Sequence, residues 1–289
     1  MKKAILIATA CALGICIAWI ANSCSGETTE TKSASKVIKP STPPASPIPL
    51  NLSVYLDLSD RIVKGKGAVS QLENDTALIN CIFESFLNRC KKNILANKDH
   101  FQILFYPQPS QPNINTIAKS LNLDLSKVEV TQKKKSVINF QNSYQENLLS
   151  IYNSTIKSHH WIGSDIWGFF SNKKVDQLCI REGYRNVLVI ITDGYIFHTA
   201  NKIAWGNAYS YILPQTLAKP NSSLIVKRDG LENLEVLMLE ITPPTSTEYI
   251  RMKRILTDWF TAMGVRKLSI NETDISANTE TIINNFLNK

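Results

Sequence analysis

The sequence predicts an α/β domain: a doubly wound, mostly parallel sheet with helices on both faces. Three observations carry the prediction. Short apolar runs at 52–58, 101–106, 187–192 and 234–241 are too brief for helices and read as strands covered on both faces. Between several of them lie stretches whose apolar residues recur at helical spacing. Alternation of the two across 51–289 is the pattern of parallel strands joined by crossover helices, and the length suits one large domain.

The first strand, Leu52–Leu58 (LSVYLDL), ends in a polar cluster. After a polar loop through Asp75, residues Leu78, Ile79, Ile82, Phe83, Phe86 and Leu87 share one helical face, which predicts a helix from Thr76 to about Ala96. The second strand, Phe101–Tyr106, stops at Pro107. Between Gln108 and Gln145 the periodicity is weak, a strand at 127–132 is expected, and the run Lys133–Lys135 reads as a solvated loop. Helices are expected over 144–157 and from Gly163-Ser164-Asp165 to about Ile180. Strand 187–192 (VLVIIT) runs into Asp193-Gly194, and strand 234–241 (LEVLMLEI) is broken by Pro243-Pro244. Thr245 with Glu248 is a capping-box pattern, opening a helix that Gly264 stops. A short strand at 267–270 and a helix from about Thr279 close the chain.

The amino end predicts export. Lys2 and Lys3 precede an apolar run from Ala4 to Ile20, the layout of a signal peptide over 1–23. Ala21-Asn22-Ser23-Cys24 resembles the lipobox of bacterial lipoproteins, with Asn22 in place of the usual small residue. That resemblance implies lipid on Cys24 and a place in the bacterial cell envelope, periplasmic or surface-exposed. An uncleaved helical anchor is the alternative, and both put the rest of the chain on one side of a membrane. Residues 24–50 are rich in Ser, Thr, Pro and Lys and read as a stalk. Without Lys2 and Lys3, 30 basic residues face 24 acidic ones, a net +6. No basic stripe interleaves with aromatics, so a nucleic-acid partner is not expected. Cys81 and Cys90, nine residues apart in one helix, face opposite ways and should not pair, while Cys90 and Cys179 suit buried free thiols.

In doubly wound sheets ligands bind beyond the carboxyl ends of the strands. Asp57 and Ser59 follow the first strand, and residues two apart in an extended segment point the same way. Asp193 follows the fourth, and Ser164 opens a helix between them. Two carboxylates and two hydroxyls without His or Cys form a hard oxygen set suited to Mg2+, Mn2+ or Ca2+. Asp60, Asp165 and Thr192 are further oxygen donors nearby, and Trp161, Tyr195, Phe197 and Trp205 are expected on the rim.

Asp57-Leu58-Ser59, the Ser164 loop before a helix, and Ile191-Thr192-Asp193-Gly194 resemble, in order and spacing, the metal-ion-dependent adhesion site of von Willebrand factor A domains. The resemblance implies a domain that binds a protein or peptide ligand through a ligand carboxylate on the metal, not an enzyme. Ser164 stands where that family has Thr, and Arg61 where the first motif has its second Ser. Arg61 is expected to put a positive charge near the metal, with Asp60 turning inward to compensate. A metal-free scaffold in an envelope assembly is the alternative. A Mg-dependent phosphohydrolase of the haloacid-dehalogenase kind is a further one, but it calls for a second Asp where Ser59 stands.

Overall fold

A central parallel strand has no solvent face, and the strand ladder follows that rule. β1 (Leu50–Leu56) and β5 (Leu234–Ile241) are buried at every position, and β4 (Arg185–Ile191) at all but its first. The computed structural model describes residues 47–63, 70–109, 112–159, 161–196, 228, 230–272 and 276–288. Cys24, Phe197, His198 and Trp205 lie outside them.

β2 (His100–Leu104), β3 (Asn122–Asp124) and β6 (Lys267–Glu272) complete a sheet of order β3-β2-β1-β4-β5-β6. All neighbours pair in parallel except β3, which runs antiparallel to β2 at one edge. The chain winds outward from β1 to β3, then returns to the other side of β1 and winds outward again to β6. The reversal falls between β1 and β4, registered from Leu50↔Arg185 to Leu56↔Ile191. Connections leaving those two strands diverge to opposite faces, which opens a crevice at their carboxyl ends.

Alternate residues feed two cores. Leu52, Val54 and Leu56 of β1 with Val187, Val189 and Ile191 of β4 face α1 (Gln71–Lys91), α2 (Pro112–Ser120), α3 (Lys133–Ser158) and α7 (Ser276–Leu287). Tyr55, Leu188 and Ile190 face α4 (Ile166–Ser171), α5 (Lys174–Cys179) and α6 (Ser246–Ala262). The first core is knit by rings of Phe83, Phe86, Phe101, Phe140 and Tyr144, the second by Phe169, Phe170, Trp259 and Phe260. Each such ring contributes roughly 1.5–3 kcal/mol of burial.

The expected strands at β1, β2, β4, β5 and β6 and the helices α1, α6 and α7 are present, with shifted ends. α1 starts at Gln71, five residues before Thr76, because Ser70 and Glu73 form a reciprocal capping box. Residues 127–132 are not a strand. Val130–Gln132 is one 3-10 turn, and α3 begins at Lys133. Nor is the lysine run a solvated loop: Lys133 is buried, its Nζ donating to the carbonyls of Leu95 (3.0 Å) and Asn97 (2.5 Å). The helix expected up to Ile180 is two short ones, broken where Lys173 turns left-handed at φ 54°. α6 is capped by the Thr245 hydroxyl, which accepts from the Glu248 amide at 3.3 Å, and Gly264 follows at φ 77°. Cys81, Cys90 and Cys179 are free thiols, the last two buried.

Candidate metal centre at the carboxyl edge of the sheet

Three segments meet at the crevice between β1 and β4. Asp57 is the first residue beyond β1, and its amide donates to the carbonyl of Ile191 at 3.1 Å, which ties it to the end of β4. The next amide, of Leu58, donates to the carbonyl of Gly163 at 3.3 Å, drawing in the loop before α4. Gly163 is needed there: its φ is 109°, and a Cβ would stand 2.9 Å from the Leu58 side chain. The same loop is held to the segment just beyond β2 by the amide of Asp165, which donates to the Tyr106 carbonyl at 2.9 Å. Asp57, Ser59, Ser164, Thr192 and Asp193 thus lie on loops at one edge.

Asp57 is 1% exposed. Its Oδ1 accepts from the Ser59 amide at 2.9 Å and its Oδ2 from the Thr192 hydroxyl at 2.6 Å. Burial pushes this carboxyl above its ordinary range, against the pull of the Arg61 charge and of the Thr192 bond. Thr192 also accepts from the Gly194 amide at 3.2 Å, and the Asp193 carboxylate accepts from the Tyr195 amide at 3.1 Å, an Asx-type turn. Ser164 is buried and donates its hydroxyl to the Trp161 carbonyl at 3.0 Å, leaving the oxygen's acceptor capacity for another group.

The other expected donors are placed differently. Asp165 caps α4, its Oδ1 accepting from the Gly168 amide at 2.7 Å. Asp60 does not turn inward; it opens the short 3-10 helix Asp60–Val63 and is exposed. Trp161 and Tyr195 are half-buried, and Trp161 packs against the first core.

Arg61 does bring a positive charge beside Asp57, as expected, but a paired one. Its guanidinium does not stand over the crevice but turns into the core, 4% exposed. Nη1 and Nη2 form a fork on Asp75 at 3.2 and 2.8 Å, Nε donates to the Asp57 carbonyl at 2.9 Å, and Nη2 also reaches the Ile191 carbonyl at 3.3 Å. Asp75 accepts further from Gln71 at 2.9 Å and from the Tyr152 hydroxyl. One side chain therefore clamps the ends of β1 and β4 to α1 and α3. The Arg61 charge is met by Asp75, and among its hydrogen bonds to the Asp57 residue only the main chain is used. The reason is geometric: the 3-10 turn that starts at Asp60 swings position 61 away from the strand direction.

The sequence reading missed Gln71, Asp75 and Tyr152. Their signal was present: Asp75 stands three and four residues before Leu78 and Ile79, on the apolar stripe of α1, where a charge needs a buried partner. It also missed Glu240, a buried carboxylate at the bulge where β5 and β6 lose register, at φ 70°.

The chemistry of the assembled donors suits a hard divalent cation. A buried carboxylate with a raised proton affinity, a half-buried Ser59, a Ser164 oxygen with acceptor capacity and the Asp193 carboxylate are all oxygens at one edge. No cluster of three or more His, Cys, Asp or Glu suited to a metal occurs among the described residues, so the candidate set rests on two carboxylates with hydroxyl oxygens.

No protein-family profile and no curated protein matches the chain. Among solved structures, 84% of the chain aligns with 30% of the pilus adhesin SpaC of Lactobacillus rhamnosus GG, at 10% identity and a TM-score of 0.41. An open conformation of the same adhesin aligns at 12% identity and a TM-score of 0.39. An aerotolerance-related membrane protein of Bacteroides fragilis, with multiple mutations to serines, aligns over 83% of this chain and 98% of its own, at 12% identity and a TM-score of 0.37. The chain thus spans about a third of the adhesin's length.

Proposed function

We propose that the chain is an envelope-tethered binding domain, not a catalyst. In this reading Asp57, Ser59, Ser164 and Asp193 hold a divalent cation, and a carboxylate from a protein or peptide ligand completes its coordination. One observation supports it most: the Asp57 carboxylate is buried between Ser59 and Thr192, while the Arg61 guanidinium forks onto Asp75 and meets Asp57 through its main chain. A buried carboxylate whose neighbouring cation is shared with a second carboxylate gains from a metal part of what it loses by desolvation. Bound there, the cation would act as a Lewis acid toward an incoming carboxylate. The protein's part is to fix the oxygens: Thr192 orients Asp57, the 192–195 turn orients Asp193, and Gly163 brings in Ser164.

The test is thermal melting of residues 25–289 with Mg2+, Mn2+, Ca2+ or EDTA, in the parent and in Asp193→Ala. Ligand linkage predicts a rise of about 2.7 kcal/mol at a hundredfold excess over Kd. The rise should appear in the parent and vanish in the variant. Equal melting of the parent in all four conditions would leave the metal-free scaffold as the better reading. Turnover of a phosphate ester, lost on Asp57→Asn, would instead favour the phosphohydrolase.

A further inference from the structure

The opposite edge of the sheet, where the strands begin, carries its own pattern. A cleft of about 650 Å3 opens there, lined by Pro47 and Ile48 with Arg89, Lys92, Tyr184, Arg185 and Arg266 among others. Arg89 and Arg185 are committed: Arg89 pairs with Asp99 at 3.0 Å, and Arg185 forks onto Glu235 and caps α7 through the Phe286 and Leu287 carbonyls. Lys92 and Arg266 on its rim are exposed.

More exposed cations lie along the same edge, because α1 ends, α3 begins and β2 starts there. Lys91 closes α1 and Lys98 precedes β2. Lys127 follows β3, 79% exposed although 3.4 Å from Asp124, and Lys134 and Lys135 start α3, which Lys133 fastens to the Leu95–Asn97 turn. The exposed acids here are fewer: Glu129, Glu182 and Glu232. Apolar side chains stand among the cations, with Ile48 65%, Leu95 57% and Val130 51% exposed. At the other edge the described residues include the acids Asp57, Asp60, Asp165 and Asp193, with Arg61 turned inward and Lys157 exposed at the end of α3.

The geometry points to this basic, apolar-studded edge as the face that docks on an anionic lipid surface. Two independent features select that partner. Cations interleaved with exposed apolar side chains are what a headgroup layer accepts, phosphates outside and acyl chains beneath. The described chain also starts at this edge, with Pro47 and Ile48 in the cleft wall. Each Lys or Arg brought to an anionic surface adds about 1 kcal/mol, so a basic edge next to the anchor would orient the domain on the headgroups. At about 3.5 Å per residue the 23 residues from Cys24 to Pro47 span at most about 80 Å, so an anchored domain can reach the headgroups, and a docking face is needed to hold it there. The inference rests on the anchor reading, not on the metal. Docked this way, the metal edge faces away from the membrane, toward a ligand.

The test uses the full chain reconstituted into phosphatidylcholine vesicles, with or without a third of the lipid replaced by phosphatidylglycerol. Lysine acetylation is read site by site by mass spectrometry. Lys92, Lys98, Lys127 and Lys134 should react about threefold more slowly on the anionic vesicles, while Lys173 and Lys253 are unchanged. The protection should disappear at about 1 M salt, where the Debye length falls to about 3 Å. In the Lys92→Glu, Arg266→Glu double variant the protection of Lys127 and Lys134 should fall toward the neutral-vesicle level. Identical rates on both vesicle types overturn the proposal. Equal protection by soluble polyphosphate on neutral vesicles also overturns it, in favour of an anionic polymer. Flotation with neutral vesicles reports on the anchor separately. If it fails, docking stands only if flotation returns on the anionic vesicles.

Discussion

Replacing Asp75 by alanine tests the role given to Arg61. Asp75 is 1% exposed and accepts two bonds from Arg61, one from Gln71 and one from the Tyr152 hydroxyl. Alanine leaves a buried guanidinium with two main-chain carbonyls as its acceptors, and strands an amide and a phenol. Removing one partner of a buried ion pair costs about 3–5 kcal/mol, and each stranded polar group about 1–3 kcal/mol when it finds no water. Relaxation of the long Arg61 side chain offsets part of this, so a net loss of roughly 4 kcal/mol is expected. At about 2–4 °C per kcal/mol for a domain of this size, Tm should fall by about 8–16 °C. Melting followed by circular dichroism on the parent, Asp75→Ala, Arg61→Met and the double variant measures it. The double variant should lose about 2–3 kcal/mol less than the two singles together, because no uncompensated charge stays buried. A drop under about 2 °C for Asp75→Ala, or strictly additive singles, would refute the clamp.

Three more predictions follow from other parts of the molecule. His100 is buried between Asn51 and Asn122, and burial together with the Arg181 charge lowers its pKa from 6.5 to about 4. A depressed folded value favours the neutral imidazole, so its contribution is complete above pH 6.5 and is lost as pH falls toward 4. That loss is about 3 kcal/mol, measurable as the pH slope of urea unfolding, and His100→Gln should flatten it. Burial pushes the thiols of Cys90 and Cys179 up to about 12 and that of Cys81 to about 11, so a maleimide at neutral pH should label none of the three quickly until the domain unfolds. If the proposed metal set is right, its few protein oxygens favour Mg2+ or Mn2+, which keep several waters, over Ca2+, which needs six to eight oxygen ligands. A larger rise in Tm with Ca2+ at equal concentration would refute that preference and show that further oxygen ligands join.

What was legible in the sequence followed from how local its causes are. β5 spans Leu234–Ile241 as read, because eight apolar-rich residues between breakers have few other uses. The start and stop of α6 come from Thr245, Glu248 and Gly264, which act within one turn of themselves. Residues 108–145 resisted for the opposite reason. β3 is three residues long and exists through its pairing with β2. The buried stripe of α3 through Phe140, Tyr144, Leu148, Ile151 and Tyr152 is regular, but its first two turns bury only Lys133, so no apolar period marks the start.

The candidate site divides the same way. That acids and hydroxyls stand at the ends of β1 and β4 is a matter of chain order, and the order of the sheet then brings those ends together. Where Arg61 points is not local at all. It depends on Asp75 arriving from α1 and Tyr152 from α3, after the 3-10 turn has rotated the side chain inward. The residue that seemed to oppose a cation on charge is thereby a positioning residue for Asp57, holding its main chain from below while the carboxylate faces Thr192 and Ser59. Charge at a motif position thus says little about the field at the site until its counter-ion is located. Here Arg61 forks onto Asp75, and its pull on Asp57 does not undo the effect of burial.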